Sequence, residues 1–360
     1  MTDATADGRT IGVDAAWDGD GFRGRTVFTI SGGMLQLAEA DPADTTDPAG
    51  PARRADHELG GALIPHLTDH HTHLGLTDPA VMFANGITDA VDLGWIPEVA
   101  AVWLDAGPGH PAVAIAGALL TAPGGYPVNA GWGPPGSSAE LRNADDAVAA
   151  VREQVMWGAS RIKVTLNTQS GPTVDDATLA AIVEEAHAHG LPVTVHAQGD
   201  GQTARAIAAG ADQLAHTPFT ERVDDTIIRR CVDAGVSWVS TLDIHGWGRP
   251  TTELATAIEN LRRFADAGGR ILYGTDLGNG PLATGVNARE LADLAAAGLD
   301  GTALVRTIAG PDPLTRAPFG PRFAWLPTTP PADEADLPAW LATARGATAS
   351  TITTIPGGDA

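Results

Sequence analysis

The chain has 360 residues, 43% of them hydrophobic, enough for one large core plus a minor domain and too many for a single small core. Its 22 basic and 44 acidic residues give a formal net charge of −22, which argues against nucleic acid or an anionic membrane surface as a partner, since both need basic patches. Cys231 is the only cysteine, no apolar run approaches membrane-spanning length, and the opening MTDATADGRT lacks the basic and apolar regions of a signal peptide. The expectation is a soluble cytoplasmic enzyme acting on a small molecule, compatible with a homo-oligomer.

Residues 1–60 read as short strands and turns, with strand character at 25–30. A nucleotide-binding pattern, Gly19-x-Gly21-x-x-Gly24, is rejected because it precedes a strand and no helix opens from it. Residues 41–56, rich in Asp, Pro, Ala and Thr, read as an exposed loop. From Gly61 short apolar strands alternate with Ala-rich helical segments. Strands are expected at 62–67, 87–93, 112–118, 161–166, 192–196, 213–215, 236–242 and 270–273, and helices at 145–157, 175–189, 202–209, 224–234 and 252–267. Gly158, Gly190, Gly210 and Gly235 stand where helices must end before a strand, and glycine takes the left-handed cap cheaply. After Pro311 the rhythm decays. Residues 327–331 form a proline-rich connection, 335–344 fit a helix, and 351–355 fit a strand rejoining the N-terminal ones. The fold class is therefore α/β. A (β/α)8 TIM barrel over 61–310 carries a small β-sandwich domain built from 1–60 and 311–360.

In such a barrel the active site lies at the C-terminal ends of the strands. The stretch Thr68-Asp69-His70-His71-Thr72-His73 places two imidazoles two residues apart, on one side of an extended strand. Lys163 lies inside an apolar strand, His196 and His216 end two more, and Asp276 follows the last. Each has a structural reading by itself: Lys163 snorkelling outward, Asp276 as a helix cap, a histidine as a satisfied polar residue. Their joint occurrence at strand ends points to a metal site, since neutral imidazole and carboxylate are ligands for zinc and related ions. His187 and His189 end a helix and are read as structural.

With this set in view the chain resembles the amidohydrolase superfamily, in its binuclear-metal branch, over residues 60–310. The local wording is closest to the prolidase-like (Xaa-Pro dipeptidase-type) and imidazolonepropionase-related members, through Gly86-Ile87-Thr88-Asp89-Ala90-Val91-Asp92-Leu93-Gly94 and Val193-Thr194-Val195-His196-Ala197. The resemblance implies two divalent metal ions, one held by His71, His73 and Asp276 and the other by His196 and His216. Lys163, carboxylated by carbon dioxide, would bridge them as a carbamate. Zinc is the default, with manganese, cobalt or iron fitting similar ligands. The implied reaction is attack of a metal-bridging hydroxide on the carbonyl of an amide, peptide-like or cyclic-amide substrate, with Asp276 as general acid/base. A lactone or ester is the alternative on the same site. A deaminase ranks lower, because Ala197-Gln198-Gly199-Asp200 follows His196 without the glutamate of the mononuclear deaminases.

The chain departs from the family pattern at His66, where glycine is usual, and in residues 167–173, where prolidase-like relatives place a carbonyl-polarising tyrosine. Tyr126, in a long loop over 119–138, is the substitute on offer. That loop also holds Trp132. Beyond the seventh strand come His245, for lining the pocket, and Arg249, for a substrate carboxylate or for solvent. Trp95 and Asn279 are weaker pocket candidates.

Overall fold

The computed structural model describes residues 7–38, 54–310 and 322–355. The expected first barrel strand divides between two sheets. Ala62–Ile64 pairs parallel with Ala15–Trp17 and antiparallel with Arg322–Leu326, and a new strand, Thr68–Thr72, begins four residues later. Pro65 is the cause: it has no N–H to give a ladder, so the run breaks there.

Parallel strands make the centre of the larger unit. Ala112–Ile115, Asp89–Asp92 and Thr68–Thr72 form a three-stranded sheet. A seven-stranded sheet runs, in spatial order, through Ser138–Glu140, Leu119–Thr121, Ile162–Asn167, Val193–Gln198, Gln213–Leu214, Ser237–Val239 and Arg270–Leu272. The expected strands thus lie in two sheets, joined by individual backbone hydrogen bonds. His70 N–H donates to Tyr273 C=O (3.0 Å), Asp276 N–H to His71 C=O (2.8 Å) and Ser160 N–H to Ile115 C=O (2.9 Å). The third expected strand, 112–118, stops at Ile115 because Gly117 turns the chain at φ +74°. A Cβ there would sit 2.1 Å from Gln154 Oε1, which accepts the Ala118 N–H. The long loop after it is partly ordered by Leu119–Thr121 and Ser138–Glu140, which pair in parallel.

Helices cover the strands and start where the sequence places a capping oxygen. Asn143, Asp175, Asp224 and Thr251 accept backbone N–H groups at the starts of Ala144–Met156, Asp176–Ala188, Asp225–Asp233 and Thr252–Asp266. The helices Ala288–Ala296 and Gly301–Ala309 follow the last strand. Among the described residues no helix is long and apolar enough to cross a membrane.

The chain's two ends meet in the smaller unit. One four-stranded sheet holds Met34–Leu37, Thr26–Ser31, Thr10–Val13 and His57–Glu58. One five-stranded sheet holds Arg345–Thr348, Arg322–Leu326, Ala62–Ile64, Ala15–Trp17 and Phe22–Arg23. Ile11, Val13, Ile30, Leu63, Phe323 and Ile352 share one apolar core there. The expected strand at 351–355 is replaced by a helical turn, Ala349–Ile352, because Thr348 and Thr351 form a capping box; the strand is Arg345–Thr348 instead. The glycine pattern at 19–24 is a hairpin turn whose Asp18 accepts from the Asp20 and Gly21 N–H groups, consistent with its rejection as a phosphate loop. Most of the expected loop at 41–56 lies outside the described residues. The expected helix at 335–344 is the single turn Glu334–Asp336 followed by Leu337–Leu341.

Candidate metal centre

His71 is the penultimate residue of the strand Thr68–Thr72 and His73 lies just beyond it, and both are buried. Backbone carbonyls set their tautomers. His71 Nδ1 lies 2.7 Å from Ala215 O, and His73 Nδ1 lies 2.9 Å from Gly94 O. A carbonyl only accepts, so each Nδ1 carries the proton and each Nε2 presents a lone pair. Those two Nε2 atoms stand 3.2 and 3.3 Å from one atom, Asp276 Oδ1. His71 Nε2 is buried and makes no hydrogen bond despite the short approach. Burial, then the Lys163 ammonium, holds the His71 imidazole well below its ordinary protonation range. Burial acting alone would raise Asp276, but His71, His73 and His216 outweigh it and keep this carboxyl well below the usual range. Two unprotonated nitrogens and a carboxylate oxygen facing one point repel one another unless a cation lies between them, so the residues present fit a metal ion.

His216 extends the cluster. Its ring centroid is 4.6 Å from those of His71 and His196, and ligand atoms of His71, His216 and Asp276 lie within 4.8 Å of one another. Thr241 Oγ1 holds His216 Nδ1 at 2.9 Å. Thr241 has φ +46° and Asp276 has φ +55°, a region that L-residues seldom occupy, so backbone strain sits at a ligand candidate and at the residue orienting another. Burial, chiefly, holds His196 down to about 3 and His216 well below its ordinary value. Lys163, the second residue of Ile162–Asn167, is buried, and its Nζ has no hydrogen-bond partner. Burial pushes its amine down to about 7, against the pull of Asp276 and Asp92.

Residues outside the expected ligand set hold this arrangement, and Asn279, a weaker pocket candidate from the sequence, is one of them. Asp92 accepts the N–H groups of Leu74 (2.8 Å) and Gly94 (3.2 Å), and so fixes the chain on both sides of His73. Its place in the stretch 86–94 was the available signal. Gln198 Oε1 lies 3.0 Å from His196 Nε2 and accepts from Asn167 Nδ2 at 2.8 Å. Asn279 Nδ2 donates to Asp276 Oδ2 at 2.9 Å.

The structure brings Tyr126 and Trp132 to the cluster: Tyr126 stacks on His196 with centroids 4.8 Å apart, and Trp132 lies 4.8 Å from His73. Both line a cavity of about 430 Å³ with His73, Leu76, Asp276 and Asn279. His245 is half-buried against Phe219, centroids 4.1 Å apart, and Arg249 is exposed; neither is among the described residues lining that cavity. Trp95 is buried beneath Gly75, where any Cβ would overlap its ring. His66 lies at the opposite end of the strands, 3.4 Å from Asp89. His187 pairs with Asp212 at 2.8 Å and His189 with Glu185 at 3.0 Å, in keeping with their structural reading.

Parallel strands thus deliver histidines and an aspartate from distant points of the chain to one buried cluster. Residues 62–308 match the amidohydrolase family, and the chain belongs to that family. Uncharacterized proteins of Mycobacterium tuberculosis and Mycobacterium bovis are each 29% identical over 254 residues, which cover 66% of this chain and 61% of theirs. The chain thus spans less than two thirds of the length of those relatives. Among solved structures, A. niger ochratoxinase has a TM-score of 0.72 at 20% identity, over 93% of this chain and 92% of its own. A Xaa-Pro dipeptidase with bound methionine has a TM-score of 0.69 at 18% identity, over 91% and 96%. Molinate hydrolase has a TM-score of 0.69 at 14% identity, over 98% and 97%. These three likenesses establish a shared fold.

Proposed function

We propose that the protein is a metal-dependent hydrolase of amide, peptide-like or cyclic-amide bonds. Residues 68–310 form its catalytic domain, while Ala62–Ile64 belongs with the strands at 10–58 and 322–348 to its small β domain, so the expected boundary at residue 61 moves to the break at Pro65. The observation that carries this reading is the convergence of His71 Nε2 and His73 Nε2 on Asp276 Oδ1. His71, His73 and Asp276 would hold one divalent ion and His196 and His216 a second, zinc by default. Lys163, carboxylated by carbon dioxide, would bridge them. Its burial, its lack of a partner and a pKa of about 7 support this, because a neutral amine is the form that takes up carbon dioxide. The similar structures carry the names ochratoxinase, Xaa-Pro dipeptidase and molinate hydrolase, and this reading extends the hydrolase part of those names to the chain.

His71, His73, His196, His216 and Asp276 would hold the ions, whose chemistry when bound would be to acidify a water toward neutral pH and to polarise the scissile carbonyl. The protein's own groups do the rest. Asp276 Oδ2, oriented by Asn279 Nδ2, takes a proton from the attacking water and delivers it to the leaving nitrogen. The Ala215 and Gly94 carbonyls hold the imidazoles in the tautomer that leaves Nε2 free. Tyr126 and Trp132 wall the cavity beside the cluster and offer it two aromatic faces.

Elemental analysis of protein purified without added metal, together with turnover on N-acyl amino acids, dipeptides, cyclic amides and lactones, tests the reading. About two metal ions per chain are expected, as in two-metal hydrolytic sites. Lys163→Ala is expected to lose both metal and activity. A Lys163→Ala protein with full activity would overturn the binuclear proposal.

A further inference from the structure

We infer that the cavity beside this cluster takes an uncharged substrate bearing a flat aromatic or apolar group, and that it disfavours a substrate presenting a free carboxylate there. The inference rests on the hydrolase reading above and narrows its substrate class. Tyr126 and Trp132 stand with ring centroids 6.2 Å apart and planes inclined by 53°, so they form two faces of one aromatic corner. Each also lies against a histidine of the cluster, His196 and His73 respectively, so a group held at the cluster is next to both rings. Such a corner stacks a flat group and gains affinity from its apolar area.

Leu76 continues the apolar wall, with 45% of its surface exposed. Beside it the lining includes the glycines Gly278 and Gly280. Gly278 has φ +114° and brings the main chain so near Leu76 that a Cβ would lie 3.0 Å from the leucine Cβ. Gly280 has φ +75°, and a Cβ there would lie 2.6 Å from Trp247 Nε1. Glycine at both positions lets the main chain pack this closely against Leu76 and Trp247. The volume of about 430 Å³ falls within the roughly 300–1,000 Å³ of small-ligand sites.

Charge gives the second half of the argument. Among the described residues lining the cavity none is a lysine or an arginine, and one is the carboxylate of Asp276. The arginines on neighbouring loops do not supply the missing charge. Arg289 is committed to Asp243, with Nε 2.9 Å from Oδ1, while Asn287 holds the same carboxylate at 2.7 Å. Arg249 is exposed and outside the cavity. A carboxylate set against the Tyr126, Trp132 and Leu76 wall would lose its hydration without gaining a fixed cationic partner from the side chains there, any ion on the histidines being left to the scissile group, and the −22 charge of the chain opposes its approach.

Equilibrium binding by calorimetry on the purified full chain tests this with matched probes: hippuramide, its anionic counterpart hippurate, and N-acetylglycinamide, which lacks the ring. Hippuramide is expected to bind at least about tenfold more tightly than either of the others. Leu76→Arg, which sets a guanidinium on the wall, is expected to reverse the preference between hippuramide and hippurate. Trp132→Ala is expected to abolish the advantage of the ring, with Trp132→Phe keeping it and circular dichroism confirming that both variants are folded. Equal or tighter binding of hippurate by the unaltered protein, indifference to the ring, or no binding of hippuramide overturns the inference. Turnover of the same probes by the metal-loaded protein reads the other question separately. Loss of all hydrolysis with the binding order intact would count against the hydrolase reading and leave the description of the cavity standing.

Discussion

Thr275 Oγ1 donates to Asp69 Oδ2 at 2.5 Å across 206 positions of sequence. The other oxygen, Asp69 Oδ1, accepts the N–H groups of His71 (3.1 Å) and Thr275 (3.0 Å). One buried carboxylate therefore clamps the residue that carries one ligand candidate to the residue that precedes another, Asp276. The clamp joins Thr68–Thr72 to the segment that follows Arg270–Leu272, a pairing across the chain that no local pattern encodes.

Asp69→Asn is expected to loosen that clamp. An amide offers one acceptor oxygen and turns its NH2 toward groups that also donate. Leaving a buried donor unsatisfied costs about 1–3 kcal/mol. Denaturant unfolding should show that loss with an unchanged slope, and dialysis followed by elemental analysis should show weaker metal retention.

Thr241 acts on the cluster through His216. Thr241→Ala removes the hydroxyl at 2.9 Å from Nδ1 and leaves the ring free to rotate. Metal affinity is expected to fall about 10- to 100-fold, the range seen when orienting partners of ligands are lost. Thr241→Ser keeps the hydroxyl and should restore it. Competition with a chromogenic chelator measures both variants, and equal affinities in the two would refute the role.

Asp276→Asn separates chemistry from folding. Asparagine tolerates the left-handed backbone that Asp276 adopts at φ +55°, so the fold should persist. The amide cannot shuttle the proton, and turnover on the best substrate should drop at least about 100-fold. Unfolding midpoints within a few degrees of the parent's would show that the loss is chemical.

Glu290 gives the stability a pH dependence of its own. It is fully buried, and its two oxygens accept the N–H groups of Leu242 (2.9 Å) and Asp243 (2.8 Å). Burial nevertheless raises its carboxyl from 4.5 to about 8. Between those values the folded chain holds a proton that the unfolded chain has released. Stability from this group is therefore full below about pH 4.5 and declines as pH rises to about 8. Thermal unfolding of the parent and of Glu290→Gln from pH 5 to 9 should show a shallower decline in the variant, with its deficit largest at the acid end. Parallel curves would refute the assignment.

Much of the architecture was legible because it is written in local periods. Alternation of apolar strands with Ala-rich helices, ended by glycines such as Gly190 and Gly210, marks the α/β unit before any contact is known. The histidines and the aspartate stand out because polar residues interrupt apolar runs where strands end. What remained hidden depends on contacts across the chain. Pro65 shifted a strand boundary and sent Ala62–Ile64 to a partner, Arg322–Leu326, that lies more than two hundred residues away.

The amino-acid order by itself determined which side chains are available: His71, His73, Lys163, His196, His216 and Asp276, in that succession, and the strand ends on which they ride. Only the tertiary structure decided what each faces. It set two imidazole nitrogens on one oxygen of Asp276, bound Asp69 to Thr275, and placed Tyr126 and Trp132 against His196 and His73 while leaving Arg249 outside. The physical reason is that periodicity and capping act over a few residues, whereas a cavity wall or a shared hydrogen bond joins loops whose separation along the chain carries no record of their separation in space.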